Sequence, residues 1–184
     1  MSAFGKKYSI ILSDPPWHYN NANVGGSGKS GSSAVYDVMS TEDICEMPIS
    51  YMSNEDCVLF MWATMPQLED ALRVIKAWGF TYKTCAFVWV KKNKKQNTPF
   101  FGMGSWSRSN AELCLLATKG KPKRMSASVS QIIWEPISEH SKKPDCVRDR
   151  IVELCGDLPR IELFARQRVT GWEAIGKELP EEIK

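Results

Sequence analysis

The chain has 184 residues, 43% of them hydrophobic and 24% charged, with a formal net charge of +3. Such values are typical of one globular domain, and we expect a single domain over residues 1–184. No apolar run approaches the ~20 residues that a membrane-spanning helix needs. The small positive charge permits a polyanionic partner without requiring one.

Cysteine and histidine usage bears on metal binding and on location. Six cysteines occur without a Cys-x-x-Cys pair and there are only two histidines, which disfavours a zinc site. Residues 1–7 are too short for a secretion signal. We therefore expect reduced core thiols in an intracellular, cytoplasmic protein.

The first predicted element is a buried strand from Tyr8 to Leu12, followed by the tetrapeptide Asp14-Pro15-Pro16-Trp17. Proline fixes φ and lacks an N–H group, so a central strand cannot continue through this tetrapeptide. The carboxyl end of a strand is where open α/β sheets bind ligands. An ordinary turn with a half-buried tryptophan would also explain Asp-Pro-Pro taken alone.

The tetrapeptide suits one particular substrate group, the exocyclic amine of a nucleobase. The Asp14 carboxylate and the Pro15 carbonyl can accept the two N–H bonds of such an amine and fix its orientation. The ring of Trp17 can stack on the base, as aromatic side chains do when a base leaves its stack. The sequence therefore predicts a base-binding site at the end of the first strand.

Residues 18–34 are rich in Asn, Gly and Ser, which predicts a mobile loop over this site. Gly28-Lys29-Ser30 looks like the end of a phosphate-binding loop, but Asn23 stands where that motif needs glycine and no helix follows. A lid over a substrate pocket fits better, with Lys29 able to meet a phosphate. Tyr36 closes the loop.

A helix capped by Ser40 and ending near Pro48 is predicted next. A buried strand, an amphipathic helix and another strand follow at residues 57–62, 67–78 and 83–90. This order and spacing predict a βαβ unit.

Two basic clusters follow strands: residues 91–95, and a group after the strand at residues 111–118 that comprises Lys119, Lys121, Lys123 and Arg124. Charge runs are commonly solvated loops, but both clusters could also neutralise a nucleic-acid backbone. The last predicted elements are a strand at residues 131–134, a helix at 146–154 opened by Pro144 and Asp145, and a strand at 160–164.

The tetrapeptide resembles the motif of the DPPW-type N6-adenine methyltransferases, and similarity to this family extends over nearly the whole chain. It includes Trp62-Ala63-Thr64, residues 78–84, residues 106–112, Lys143-Pro144-Asp145, and Glu162 to Arg166 followed by Gly171-Trp172 and Gly176. The resemblance implies S-adenosylmethionine as cofactor and a Rossmann-like α/β fold, with a mostly parallel sheet, helices on both faces, and the catalytic motif before the cofactor motif.

The resemblance also implies roles for individual residues. The catalytic residues would be Asp14, Pro15, Pro16 and Trp17. The cofactor-binding residues would be Asp14, Lys143, Leu163, Phe164, Arg166, Arg168, Lys177 and Glu178, with the Arg166 guanidinium and the Lys143 ammonium on the cofactor carboxylate. The resemblance places Tyr36 in the adenine pocket, although Tyr36 could equally anchor its loop, and Lys143 alone could be a surface lysine. We also expect Lys29, on the loop lid, and Lys142 to bind substrate.

One departure affects the ribose contact. Family members commonly carry Asn after the final glycine, and this chain has Lys177 and Glu178 instead. Lysine only donates hydrogen bonds, so Glu178 would have to supply the acceptor.

The expected activity is methylation of adenine N6 in nucleic acid, with DNA favoured over RNA because the whole-chain pattern is similar to the compact phage and bacterial members. A homodimer or a second subunit could supply specificity. The alternatives are an RNA adenosine methyltransferase, a catalytically inactive nucleic-acid-binding subunit, and a nucleotide hydrolase that rests only on the incomplete match at Gly28-Lys29-Ser30.

Overall fold

The computed structural model of the protein describes residues 5–18, 38–102, 104, 106–138 and 142–180. These residues form seven strands and four α-helices, with a 3₁₀ turn at Met65–Gln67. The strands are β1 (Tyr8–Ser13), β2 (Ser53–Ala63), β3 (Thr81–Lys92), β4 (Ala111–Lys119), β5 (Ile132–Pro136), β6 (Arg160–Leu163) and β7 (Glu173–Ile175). The helices are α1 (Thr41–Glu46), α2 (Ile49–Met52), α3 (Leu68–Ala77) and α4 (Cys146–Cys155).

The strands form one sheet in the order β5-β3-β4-β2-β1-β6-β7. Six strands run in the same direction, and β4 is antiparallel to both of its neighbours, β2 and β3. One edge of the sheet therefore carries the carboxyl ends of the six parallel strands together with the amino end of β4. We call it the carboxyl edge.

Alternating apolar side chains of the central strands pack into two separate cores, one on each face of the sheet. Ile11 and Leu59 face the core that is covered by α1, α2 and α3. Ile10 and Phe60 face the opposite core, where Val147 and Ile151 of α4 cover the sheet. Helices thus lie on both faces, as the sequence predicted.

The predicted strands and helices are present, with bounds that differ by a few residues. Ser40 caps α1 by accepting a hydrogen bond from the Asp43 amide at 3.1 Å. Pro48 does more than end this helix, because the one-turn helix α2 begins directly after it. The predicted βαβ unit is present as β2, α3 and β3, although β4 lies between the two parallel strands.

One strand was not predicted, because β7 (Glu173–Ile175) is only three residues long. The predicted loop lid, with Lys29, Tyr36 and the Gly28-Lys29-Ser30 match, lies almost entirely outside the described residues.

All six cysteines are free thiols, three of them buried and three half-buried. Over the part of the chain that the structure describes, no helix has the length and apolarity to cross a bilayer.

The two basic clusters lie at opposite edges of the sheet. Residues 91–95 begin with the last two residues of β3 at the carboxyl edge, whereas the second cluster begins with Lys119, the last residue of the antiparallel β4. Lys119 Nζ contacts Ser53 Oγ at 2.8 Å, at the amino end of β2. The direction of β4 therefore carries the second cluster to the edge opposite Asp14, so the two clusters do not share an edge of the sheet. That either cluster neutralises a nucleic-acid backbone stays a prediction.

The buried Trp78 ties the end of α3 to α1, since its indole Nε1 donates to the Ile44 carbonyl at 2.8 Å. Trp78→Phe removes this donor, leaves the Ile44 carbonyl with only the longer hydrogen bond from the Met47 amide at 3.3 Å, and opens a small void. We expect it to lower the free energy of unfolding by about 2–3 kcal/mol. Trp106→Phe, at a fully exposed indole, should change it by less than about 0.5 kcal/mol. Urea unfolding measures both, and equal losses would contradict this packing.

Candidate active site

The tetrapeptide after β1 forms a tight, well-anchored turn at the carboxyl edge. The Pro15 carbonyl accepts a hydrogen bond from the Trp17 amide at 2.9 Å, and the Pro16 carbonyl accepts one from the Met39 amide at 3.0 Å. The indole Nε1 of the buried Trp17 donates to the Trp62 carbonyl at 3.3 Å. The turn and the indole are therefore fixed before any ligand arrives.

Asp14 belongs to a cluster of four charged side chains. Lys143 Nζ lies 2.8 Å from Asp14 Oδ2 and 3.3 Å from Glu112 Oε2. The other Glu112 oxygen, Oε1, lies 2.5 Å from Lys91 Nζ. Two carboxylates and two ammonium groups thus alternate along the carboxyl edge, with no net formal charge.

Burial makes these contacts stronger than surface ion pairs. The Lys143 and Glu112 side chains are only 15% and 10% exposed. Two indole rings also contact the cations, with Lys143 Nζ 5.7 Å from the Trp62 ring centre and Lys91 Nζ 5.1 Å from that of Trp89. A charge in such a place is stable only while its partners remain, because water cannot replace them.

The pKa values of the cluster follow from burial set against neighbouring charge. Burial raises the pKa of Asp14, and the attraction of Lys143 offsets only part of that rise. Burial would also raise the pKa of Glu112, but Lys143 and Lys91 outweigh it and the net pKa is lowered. The two carboxylates together outweigh burial at Lys143 and raise the pKa of its ammonium group. The folded protein therefore holds Lys143 charged and makes ionised Asp14 costly.

Lys143 reaches this position from the segment before α4. Arg148, in the first turn of α4, donates to both carboxylate oxygens of Glu162 on β6, at 2.8 and 3.0 Å. It also donates to Asp145 at 2.8 Å, and Asp145 lies 3.1 Å from Lys142 Nζ. This anchoring of α4 to β6 fixes the backbone that carries Lys143.

The ends of β6 and β7 form the opposite wall. Phe164, directly after β6, has φ of 58°, a left-handed conformation that costs a non-glycine residue of order 1 kcal/mol or more. A side chain at Gly176 would place its Cβ 2.0 Å from the Ala165 carbonyl oxygen, so only glycine allows this approach. Beyond these turns, Arg166 Nε and Glu178 Oε2 lie 3.7 Å apart.

Two adjoining cavities, of about 900 and 300 Å³, open between these walls. The larger is lined by most of the sequence-predicted residues, namely Asp14, Pro15, Pro16, Trp17, Lys143, Leu163, Phe164, Arg166, Lys177 and Glu178. The smaller shares Asp14, Lys143 and Arg166 with it and is also lined by Lys142. The structure thus brings ten of the predicted residues to one cavity and Lys142 to its neighbour.

The remaining predicted site residues are Arg168, Lys29 and Tyr36. Arg168 is exposed and is absent from the described lining of both cavities. Lys29 and Tyr36 fall outside the described residues, so their proposed substrate contacts stay predictions.

Sequence reasoning did not identify Glu112 and Lys91 as members of the site. Glu112 ends the stretch 106–112, which resembles bacterial family members. No feature of the sequence indicated that β4 is antiparallel and therefore begins at the carboxyl edge. The available signal was a glutamate among the apolar residues of a predicted strand, since a buried carboxylate requires a cationic partner.

Fold and site together define a Rossmann-like α/β protein with a charged, ligand-sized cavity at the carboxyl ends of its parallel strands. Residues 8–178 match the MT-A70 family. The chain belongs to the MT-A70 family of methyltransferases.

Individual relatives differ in how much of their length corresponds to this chain. It is 32% identical to the Type II methyltransferase M.MunI of a Mycoplasma species, over 96% of this chain and 79% of the relative. It is 26% identical to the Drosophila melanogaster N(6)-adenosine-methyltransferase MT-A70-like protein, over 97% of this chain but 28% of the relative. It is also 30% identical to the Arabidopsis thaliana N6-adenosine-methyltransferase non-catalytic subunit MTB, over 66% of this chain and 15% of that protein.

Glu112→Gln preserves shape but removes one charge from between two lysines. We expect a loss of about 3 kcal/mol in the free energy of unfolding at neutral pH, because two partly buried cations lose their shared partner. Since folding lowers the pKa of Glu112, its contribution is complete above its ordinary pKa of 4.5 and is lost as pH falls through the folded value. The difference between variant and wild type should therefore shrink in acid.

Urea unfolding at several pH values measures this difference. Glu42→Gln is the matched control, because Glu42 pairs with Arg73 on the exposed surface and should contribute little. A Glu112→Gln protein as stable as wild type at neutral pH would contradict the buried cluster.

Proposed function

We propose that this protein transfers a methyl group from S-adenosylmethionine to the N6 amine of adenine in DNA. The observation that carries the proposal is the position of Asp14 in the lining of the cavity of about 900 Å³, where Lys143 Nζ contacts Asp14 Oδ2 at 2.8 Å. A carboxylate held by one oxygen retains the other for a bound amine.

The cavity fits the proposed cofactor by size and by charge. An amino-acid moiety needs an anion for its ammonium group and a cation for its carboxylate, and Glu178 and Arg166 offer both on one wall. The tight approach of Gly176 to Ala165 and the turn at Phe164 shape this wall at backbone level. Lys177, on the same wall, would donate to ribose oxygens and Glu178 would accept from hydroxyl groups.

When bound, the cofactor supplies a methyl group already activated by its positive sulfur. The protein's task is then to align the amine and to exclude water. Asp14 and the Pro15 carbonyl accept the two N–H bonds of the adenine amine, which opposes delocalisation of the nitrogen lone pair into the ring. Trp17 supplies an apolar surface for the base. The carboxylate of Asp14 is the nearest acceptor for the proton that the amine loses after methylation.

Lys143 and Glu112 act in this scheme through Asp14. Lys143 fixes one carboxylate oxygen, and Glu112 with Lys91 fixes Lys143. Preorganised groups of this kind cost no reorganisation at the moment of reaction. We therefore regard Lys143, Glu112 and Lys91 as positioning residues, with Lys143 also able to face the cofactor carboxylate.

DNA is the proposed polymer because the bacterial relative M.MunI aligns over most of its own length, whereas the chain spans about a quarter of the eukaryotic MT-A70-like relatives. The match to a subunit named non-catalytic supports a second candidate, an inactive binding subunit. The intact cluster at Asp14 favours the enzyme.

Matched DNA and RNA oligonucleotides of one sequence, offered together with labelled cofactor, distinguish these candidates. Mass spectrometry of the nucleosides should find N6-methyladenine mainly in DNA. A higher specificity constant on RNA would overturn the choice of polymer, and cofactor binding without any methylated product would favour the inactive subunit.

Arg166→Ala should weaken cofactor binding by roughly ten- to a hundredfold, the effect of losing one charge-assisted hydrogen bond. Isothermal titration with S-adenosylmethionine measures the change. Arg73→Ala, at an exposed pair on α3, is the control and should bind as wild type does. Unchanged cofactor affinity in Arg166→Ala would show that Arg166 is not one of the cofactor contacts.

Asp14→Asn should lower the single-turnover rate of adenine methylation by about a hundredfold or more, because the amide offers one acceptor in place of a carboxylate. Its stability should equal or exceed that of wild type at neutral pH. The pKa of Asp14 is raised by folding, so ionised Asp14 costs stability above its folded pKa, and this cost disappears below its ordinary value of 3.8.

Rapid-quench methylation and urea unfolding test the two halves of this prediction. Asp56→Asn, at an exposed carboxylate near the opposite edge of the sheet, controls for the chemical change. Near-normal methylation by Asp14→Asn would exclude the proposed role of the carboxylate.

A further inference from the structure

The segment between β3 and β4, residues 93–110, leaves and re-enters the sheet at the carboxyl edge. We call it the β3–β4 loop. Its first end follows Lys92, and its second end leads into Glu112 of the charged cluster. The Lys91 amide donates to the Asn110 carbonyl at 2.8 Å, which closes the base of the loop. The loop is therefore attached directly to the proposed active site.

The loop concentrates the positive charge of the protein. It contains Lys94, Lys95 and Arg108 and no acidic residue, so its formal charge of +3 equals the net charge of the entire chain. All three cations are exposed. The rest of the chain has no net formal charge, so this loop is a part of the carboxyl edge that is suited to a polyanion.

The loop also exposes two aromatic side chains. The Trp106 indole is 102% exposed and the Phe101 ring 66%. Exposing an indole completely is unfavourable in water, and large exposed apolar groups beside cations are typical of surfaces that bind a partner. Aromatic side chains among cations are the elements with which proteins bind single nucleic-acid strands, by stacking on bases and neutralising phosphates.

Two glycines hold the turn that carries Trp106. The Gly102 amide donates to the Ser109 carbonyl at 3.2 Å. A Cβ at Gly102 would lie 2.3 Å from the Ser109 carbonyl oxygen, and one at Gly104 would lie 2.1 Å from that of Ser107. The two arms of the turn therefore pack at distances that only glycine permits, and Trp106 lies near its tip.

We propose that the β3–β4 loop binds the nucleic-acid strand beside the target adenine. Trp106 stacks on a neighbouring base, and Lys94, Lys95 and Arg108 contact phosphates. This assignment rests on the proposed function, because a polynucleotide is the substrate there. It gives the protein a strand-binding surface that is separate from the adenine pocket at Trp17.

Binding of a labelled adenine-containing DNA oligonucleotide, single-stranded and duplex, tests the assignment by fluorescence anisotropy. Trp106→Ala should weaken binding by about five- to a hundredfold, the range for loss of one stacked base. Trp106→Phe should retain most of the affinity. Tyr51→Ala is the matched control, because Tyr51 is 81% exposed on α2, which leads into the amino end of β2. Binding of S-adenosylmethionine should be unchanged in all three variants.

The basic residues have their own test. Lys94→Ser with Lys95→Ser should lower the slope of log affinity against log salt by about 1.4–1.8, at ~0.7 per contact for single strands and ~0.9 for duplex DNA. Lys121→Ser with Lys123→Ser, at the opposite edge, should leave the slope unchanged. Equal slopes in the two double variants would overturn the assignment.

The outcomes separate this inference from the proposed function. If wild-type protein methylates the oligonucleotide and Trp106→Ala binds it as tightly as wild type does, the inference alone is overturned. Wild-type protein that binds the oligonucleotide through Trp106 but methylates no adenine contradicts the function alone. Loss of a dimer in Trp106→Ala, seen by sedimentation with DNA affinity unchanged, would assign the loop to protein association and also overturn the inference.

Discussion

The ammonium group of Lys143, between the carboxylates of Asp14 and Glu112, is the interaction on which the site depends. Its contacts at 2.8 and 3.3 Å join the end of β1, the start of β4 and the segment before α4. These groups are mostly removed from water, so the charges of Lys143 and Glu112 are stable only in the presence of partners of opposite charge. Folding raises the pKa of Asp14, so the ionised carboxylate lowers the stability of the folded protein. This carboxylate lies where an amine could bind.

The antiparallel strand β4 gives the site this composition. In a fully parallel sheet, every strand would bring only its carboxyl end to the ligand-binding edge. Here β4 begins at that edge, so Glu112 enters the cluster at the second residue of its strand. The same reversal attaches the β3–β4 loop to the edge and carries the basic cluster at Lys119 to the other side of the sheet.

Much of this could be predicted from the sequence, because the relevant signals are local. The strand before Asp14 ends at two prolines, α1 is capped by Ser40, and Gly79 follows α3 with φ of 82°. The insertion of β4 between β2 and β3 could not be predicted, because strand pairing depends on contacts distant in the chain. Glu112 and Lys91 were missed for the same reason. The short β7 has too few residues to show periodicity.

A double-mutant cycle on methylation tests the coupling of the cluster most directly. Single-turnover rates of N6-methyladenine formation would be compared for wild type, Asp14→Asn, Glu112→Gln and the double variant. If Glu112 acts through Lys143 on Asp14, Glu112→Gln slows the reaction in the wild-type background and has little further effect once Asp14 is Asn. Rate losses that multiply independently would contradict the claim that Asp14, Lys143 and Glu112 form one functional unit.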